Sequence, residues 1–411
     1  MRSSKALRSV CLLLVLVAAA CARPGDQTPI LILVSFDGWR WDYIDRANVP
    51  NLRALATRGV RSEGLIPSFP SNTFPNHYTI VTGLVPDHHG IVDNNFSDPG
   101  FPDRFSMSSE TARDPKWWGG KPLWVTVKEH GQRSAAMFWS GSDVAIGGVR
   151  PDYWKPYDGK VTNAARVAQV IDWLALPPQE RPTFITLYFS EVDTAGHDYG
   201  PESQEVLDAA THLDSALGDL ISGVESLGLL ARTSLIVVSD HGMSQLSPDR
   251  RILLDDYINP SAVDISEWSG AVKVAPGNER VDRIYQALKD KHPALAIYRR
   301  EDLPADLRYG KNPRVSPLIG LVDDGWTVTT RERLERDRKE QRRPNAGAHG
   351  FDPKYQSMHG LFVAAGPRIK PGLVVAPFHN IDIYDFLCTL LELLPDQNDG
   401  DPRTTRAFLK N

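Results

Sequence analysis

Cysteine is nearly absent from this sequence: 411 residues hold only Cys11, Cys21 and Cys388. That scarcity excludes a disulfide framework. An excess of one charge sign is also missing, with 46 Lys and Arg against 51 Asp and Glu and a net charge of −5. A dedicated duplex nucleic-acid binder is usually basic, so the balance argues against that class. No internal repeat or low-complexity tract stands out. What is present is ordinary globular composition, 41% hydrophobic and 24% charged, over a length that allows a sizeable core. Disorder and fibrous folds are excluded on that ground. The length admits one large domain or two to three smaller ones. The 31 Gly and 31 Pro suit a loop-rich enzyme more than a helical bundle.

The N-terminus reads as an export signal. Arg2, Lys5 and Arg8 precede an apolar run at residues 10–20 that ends in three alanines. The run is short for a spanning helix and has the layout of a secretory signal, assigned to residues 1–20. Cleavage after Ala20 leaves Cys21 first, as in bacterial lipoproteins, and an acyl carrier there would anchor the chain without spanning the bilayer. Cleavage after Ala22 uses Ala20-Cys21-Ala22 instead. An exported chain without bridges fits a bacterial periplasm, free or anchored to the outer membrane. Cys388 lies in an apolar helical pattern and reads as inert core.

Three apolar runs end at acidic residues. Pro29-Ile-Leu-Ile-Leu-Val-Ser-Phe ends at Asp37-Gly38. Pro182-Thr-Phe-Ile-Thr-Leu-Tyr-Phe-Ser ends before Glu191 and Asp193, and Ser234-Leu-Ile-Val-Val-Ser ends at Asp240-His241. Continuous apolar runs of this length suggest strands buried on both faces. Val206, Leu207, Ala210, Leu213, Leu217, Leu220 and Val224 follow helical spacing between two of them. Strands alternating with helices imply an α/β fold with a mainly parallel central sheet flanked by helices. Ligands in such folds gather beyond the carboxyl ends of strands. Between residues 251 and 340 the texture changes to short alternating patterns, such as Ala271-Val-Lys-Val-Ala, around a helix near 281–288. We read a smaller α+β lobe there, inserted into a catalytic unit formed by residues 27–250 and 341–402. The dense mixed charge of residues 331–343 reads as a solvated helix or loop.

Asp193-Thr-Ala-Gly-His197 places a carboxylate and an imidazole four apart, able to share one ion on a helical turn. Asp240-His241 offers the same two ligand types, Asp37 adds a carboxylate, and His349 sits in a glycine-flanked loop. Three Asp and three His suffice for two ions with room for a substrate oxygen. His77, His88, His89 and His359 read as turn residues or as supports behind the ligands. Thr73 precedes Phe74-Pro75 and is expected to cap the helix through Ile80 and Val81. A helix N-terminus offers amides to a phosphate. A hydroxyl there that also faces a metal becomes a nucleophile.

At these residues the chain resembles the nucleotide pyrophosphatase/phosphodiesterases of the alkaline phosphatase superfamily, in a bacterial single-domain form. The resemblance covers residues 30–401. It is carried by Val34-Ser-Phe-Asp37-Gly, Phe69-Pro-Ser-Asn-Thr73-Phe-Pro-Asn-His-Tyr, and Thr82-Gly-Leu-Val-Pro-Asp-His-His-Gly-Ile-Val-Asp-Asn94. Glu191-Val-Asp193-Thr-Ala-Gly-His197, Ser239-Asp240-His241-Gly-Met and Gly347-Ala-His349-Gly-Phe-Asp complete it. The resemblance implies an alkaline phosphatase-like fold and two Zn²⁺ ions per chain. One ion would be held by Asp193, His197 and His349, the other by Asp37, Thr73, Asp240 and His241. It makes Thr73 the nucleophile that forms a phosphothreonine, and Asn94 a hydrogen-bond donor to a phosphate oxygen. Phe74 and Tyr157 resemble the family's aromatic clamp on a nucleobase. The implied reaction is hydrolysis of nucleotide phosphodiester and pyrophosphate bonds, such as ATP to AMP and pyrophosphate, by a monomer.

Ser140 departs from the proline common at that place in the family. The somatomedin-like and nuclease-like modules of animal relatives have no counterpart. A phosphate monoesterase would face more negative charge and should set a cation near the phosphate, where this chain offers neutral Asn94. A sulfatase needs Cys or Ser in Cys/Ser-x-Pro-x-Arg, and the string here is Thr73-Phe-Pro-Asn-His. A diesterase for choline-type phospholipid head groups would keep the metals, and an aromatic pair can also hold quaternary ammonium. A non-catalytic, metal-stabilised binding lipoprotein would tolerate loss of the nucleophile, yet Thr73 and all six Asp and His candidates are present.

Overall fold

The computed structural model describes residues 28–267, 270–275 and 280–410; the N-terminal export pattern, with Cys11 and Cys21, lies outside them. In chain order the main sheet takes β1 (Ile30–Phe36), β2 (Val60–Ser62), β3 (Ser134–Met137), β4 (Tyr153–Lys155), β5 (Phe184–Phe189), β6 (Thr233–Val238), β7 (Phe362–Ala365) and β8 (Leu373–Val375). Across the sheet the order is β8-β2-β7-β6-β1-β5-β3-β4. β1 pairs in parallel with β5 and β6, and β3 in parallel with β5 and β4. β7 alone runs against its neighbours, β6 and β2. The sheet is therefore mixed but mainly parallel, as the buried apolar runs imply.

Every residue of β1 is buried, because helices cover both faces of the sheet. Alternation along the strand sends Leu31 and Leu33 to one apolar core and Ile30, Ile32 and Val34 to the other. The first core is closed by helices Thr73–Thr82, Leu123–Glu129 and Ile383–Leu390, through Ile80, Trp124 and Phe386. The second is closed by Pro50–Thr57, Asn163–Leu174 and Gln204–Ser226, through Leu52, Val170 and Leu217. Ser203 starts the last of these by accepting the Val206 amide on its hydroxyl. Cys388 is free and buried in the first core, and burial pushes its thiol up to about 12.

Residues 251–340 contain a second, antiparallel sheet in the order Asp264–Glu267, Ala271–Ala275, Leu318–Val322, Leu295–Arg299. Helix Val281–Leu288 packs Ile284 and Leu288 into a third apolar core, which also takes Phe351 and Met358. The charged stretch forms helix Arg331–Lys339, none of whose residues is buried.

Candidate metal centre and nucleophile

β6, β1 and β5 are adjacent and parallel, so their carboxyl ends open side by side on one rim. Asp37 follows β1 directly, and Asp240 and His241 follow β6. β5 leads into helix Glu191–Tyr199, which places Asp193 and His197 one turn apart. His349 arrives from a short antiparallel bridge in which Gly347 and Ala348 pair with Gln245 and Ser244. Gly38 makes the rim compact. Its φ is +67°, a Cβ there would stand 2.7 Å from the Asp193 Cα, and its amide donates to Asp240 Oδ1 at 3.2 Å. A side chain at this position would separate Asp37 from Asp193.

The six candidate ligands converge. Asp193, His197 and His349 bring one donor atom each within 4.8 Å of one another, and Asp37, Asp193 and His241 do the same. His241 Nε2 lies 3.5 Å from Asp37 Oδ1 and 3.1 Å from Asp240 Oδ2. The rings of His241 and His349 stack at 3.7 Å.

Two independent features fit this cluster to cations. First, the histidines are held in one tautomer. His197 Nδ1 donates to the Gly347 carbonyl at 3.0 Å, His241 Nδ1 to that of Gly242 at 2.9 Å, and His349 Nδ1 to that of Ser71 at 3.0 Å. A carbonyl only accepts, so each Nδ1 carries the proton and each Nε2 presents a lone pair to the cluster. Second, Asp37 Oδ1, Asp193 Oδ1 and Asp240 Oδ2 are buried without any hydrogen-bond partner. Orphaned carboxylate oxygens are expensive to bury unless a charge meets them. Burial, followed by the Asp240 and Asp193 charges, holds the Asp37 carboxyl well above its ordinary range. A divalent cation removes that conflict, and mixed imidazole and carboxylate donors suit Zn²⁺ among others.

Thr73 is the first residue of helix Thr73–Thr82, and Asn72, not Thr73, occupies the cap position. The expected capping role is therefore not found. The Thr73 hydroxyl instead lies 3.3 Å from His241 Nε2, facing the cluster. Asn94 Oδ1 accepts the Phe74 amide at 2.8 Å, which leaves its NH₂ group to donate beside Thr73. The Phe74 ring is half-buried against Phe105 and Trp118. Tyr157 is 54% exposed, with its ring edge on Phe138 at 5.1 Å. Phe138 has φ +63° and opens the loop that contains Ser140, so an unusual backbone turn supports the Tyr157 ring.

His77 stands behind the ligands: its Nδ1 donates to the Thr73 carbonyl at 2.9 Å and lies 3.3 Å from Asp240 Oδ2. A protonated Nδ1 cannot ligate, and its Nε2 is taken by the Ser35 hydroxyl at 2.7 Å, so this histidine supports the Thr73 backbone rather than binding an ion. His359 Nε2 meets the Pro353 carbonyl at 3.1 Å, and among the described residues His359 joins none of the clustered groups. Sequence reasoning missed Tyr188, whose hydroxyl donates to Asp37 Oδ2 at 2.5 Å. Its only signal was a polar tip inside the apolar run of β5.

The family model of type I phosphodiesterase / nucleotide pyrophosphatase matches residues 31–352. Venom phosphodiesterase CdcPDE from Crotalus durissus collilineatus is 38% identical over 406 residues, 96% of this chain and 48% of its own length. Human ectonucleotide pyrophosphatase/phosphodiesterase family member 1 is 36% identical over 399 residues, 94% of this chain and 42% of its own. The chain thus spans about half the length of these curated relatives. Among solved structures, an inactive threonine-to-alanine variant of murine ectonucleotide pyrophosphatase/phosphodiesterase 5 in complex with AMP superposes with a TM-score of 0.87. It is 33% identical and covers 93% of this chain and 100% of that one. Family model, relatives and fold agree, and the chain belongs to the type I phosphodiesterase / nucleotide pyrophosphatase family.

Proposed function

We propose that this protein hydrolyses nucleotide phosphodiester and pyrophosphate bonds, with two Zn²⁺ per chain and Thr73 as nucleophile. The carrying observation is the Thr73 hydroxyl at 3.3 Å from His241 Nε2, beside three orphaned carboxylate oxygens. Asp193, His197 and His349 would hold one ion, and Asp37, Asp240, His241 and the Thr73 hydroxyl the other. Bound ions at such a site supply Lewis-acid stabilisation of the oxygens that gain charge.

The chain's own residues do the rest. Thr73 Oγ1 attacks phosphorus from one side, and the bond to the leaving oxygen breaks on the opposite side. The hydroxyl proton departs to solvent, and a phosphothreonine remains. Water then attacks phosphorus and returns the Thr73 hydroxyl. With ATP the leaving group is pyrophosphate and the released product AMP. Asn94 donates from its NH₂ group to a non-bridging oxygen, one of those over which transition-state charge is spread. A neutral donor suits a diester better than a dianionic monoester. Phe74 and Tyr157 flank the space for the base, and the AMP complex of the murine relative supports a nucleotide there.

The same reading divides the chain into a catalytic unit, residues 27–250 and 341–402, and the inserted lobe 251–340. It has the protein exported, with Cys21 as candidate acyl carrier, and acting as a monomer. The "ecto" and "venom" relatives support export. No helix among the described residues is long and apolar enough to cross a membrane. The test compares a bis-nitrophenyl diester with the matching monoester, together with zinc content per chain. Preference for the diester at two zinc ions is expected; preference for the monoester would overturn the reading.

A further inference from the structure

A lysine from the inserted lobe is buried behind the nucleophile. In strand Ala271–Ala275, Val272 and Val274 face the lobe's own core, and Ala271 faces the catalytic unit. Lys273 shares the Ala271 side by alternation, and its ammonium meets Asp93 there. The two side chains are 3% and 1% exposed. A buried ion pair is weak evidence for stability, because apolar residues of similar size often serve as well. This pair therefore calls for another reason.

Asp93 supplies one. Its Oδ2 meets Lys273, and its Oδ1 accepts the Asn94 amide at 2.7 Å and the Asn72 side-chain amide at 2.6 Å. Asn94 in turn accepts the Phe74 amide, next to the nucleophile. Asn72 Oδ1 accepts from His349 Nδ1 at 3.0 Å. The lobe grips the same segment elsewhere. The Tyr309 hydroxyl donates to the Val92 carbonyl at 3.0 Å, and Arg314 Nη1 to that of Gly90 at 2.8 Å. At the start of the strand, Gly270 (φ +64°) presses on the backbone of Gly350, where a Cβ would meet the carbonyl carbon at 2.1 Å.

We propose that Lys273 is a positioning residue for phosphate-contacting Asn94, acting through Asp93, so that the inserted lobe sets the geometry of the oxyanion donor. The inference rests on the phosphodiesterase reading. With Lys273 in place the Asp93 carboxylate has one orientation, and Asn94 inherits it. Without Lys273 the carboxylate is free to turn toward other donors.

The test is a double-mutant cycle on a bis-nitrophenyl diester at saturating zinc, with Lys273→Met, Asn94→Ala and the pair. Removing one oxyanion donor typically lowers kcat by about 10²–10³-fold. Lys273→Met is expected to lower kcat roughly tenfold or more, within that bound, with a smaller change in KM. In the Asn94→Ala background the same substitution is expected to cost less than about twofold, because non-additivity marks residues acting as one unit. An equal loss in both backgrounds would overturn the proposal and make Lys273 merely structural. If Lys273→Met does not fold, Lys273→Gln with Asp93→Asn, which leaves no unpaired charge, carries the same comparison. Hydrogen exchange separates this inference from the reaction itself. The Phe74 and Asn94 amides should exchange faster in Lys273→Met whatever the wild type turns over. Unchanged exchange would refute the network, whereas an inactive wild type with faster exchange in the variant would refute only the assigned reaction.

Discussion

Replacing Thr73 by Ala separates chemistry from structure, because the structure gives this hydroxyl almost nothing to hold. Asn72 occupies the helix cap position, and its side chain serves Asp93 and His349. Thr73→Ala therefore removes no cap. It removes one 3.3 Å contact with His241 and one of the four proposed ligands of the second ion, whose three other ligands remain. Such a hydrogen bond is worth about 1 kcal/mol. Unfolding entropy near 2 cal/mol/K per residue gives roughly 0.8 kcal/mol/K for a chain of this size, so Tm should fall by only about 1–2 °C. The rate term is far larger. Loss of a nucleophile commonly costs about 10⁴-fold or more, which at 1.36 kcal/mol per decade is about 5.4 kcal/mol. Turnover of a nitrophenyl diester, a thermal melt and zinc analysis on one preparation compare the two terms. Turnover within about tenfold of wild type would refute a covalent role for Thr73. A fall in Tm far beyond about 1–2 °C with both ions lost would show that the hydroxyl is structural.

His349→Ala should weaken one metal site, leaving Asp193 and His197 as its ligands, so zinc analysis should approach one tight ion per chain. Two ions at unchanged affinity would remove His349 from the ligand set. Tyr157→Ala should lower kcat/KM for ATP by about five- to 150-fold, from roughly 1–3 kcal/mol of base stacking. Because Tyr157 is 54% exposed, Tm should hold; Phe74→Ala should lower both, since that ring also packs on Phe105 and Trp118. Equal losses on ATP and on a small nitrophenyl diester would argue against a base clamp. Acid sensitivity has a named contributor in His89, whose pKa burial lowers from 6.5 to about 3. Its Nδ1 accepts the Ile91 amide at 3.1 Å, so the folded ring is neutral. Its contribution is fully present above 6.5 and lost as pH falls toward 3, because the unfolded chain binds the proton first. His89→Gln should flatten the fall in Tm between pH 6.5 and 4 relative to wild type; parallel profiles would exclude His89.

Much of this molecule is legible in the sequence because buried parallel strands must be apolar on both faces. The runs before Asp37, Asp193 and Asp240 therefore announce both the sheet and the rim. The pairing of Asp193 with His197 also follows from local spacing, since one helical turn suffices. Asn72 and Thr73 were harder. Each can cap a helix, yet neither side chain does, because the distant partners Asp93, His349 and His241 engage them instead. Lys273 was hidden for a different reason. In Ala271-Val-Lys-Val-Ala a lone lysine reads as the wet face of a strand, and nothing local shows that the catalytic unit covers that face. Tyr188 is similar, because its role appears only once Asp37 stands opposite its hydroxyl.

The central claim is that Thr73 and the metal cluster act on the α-phosphorus of a nucleotide. Incubation of the zinc-loaded protein with ATP, followed by separation of the products, tests it most directly. AMP and pyrophosphate in equal amounts are expected, and ADP with inorganic phosphate would contradict the account.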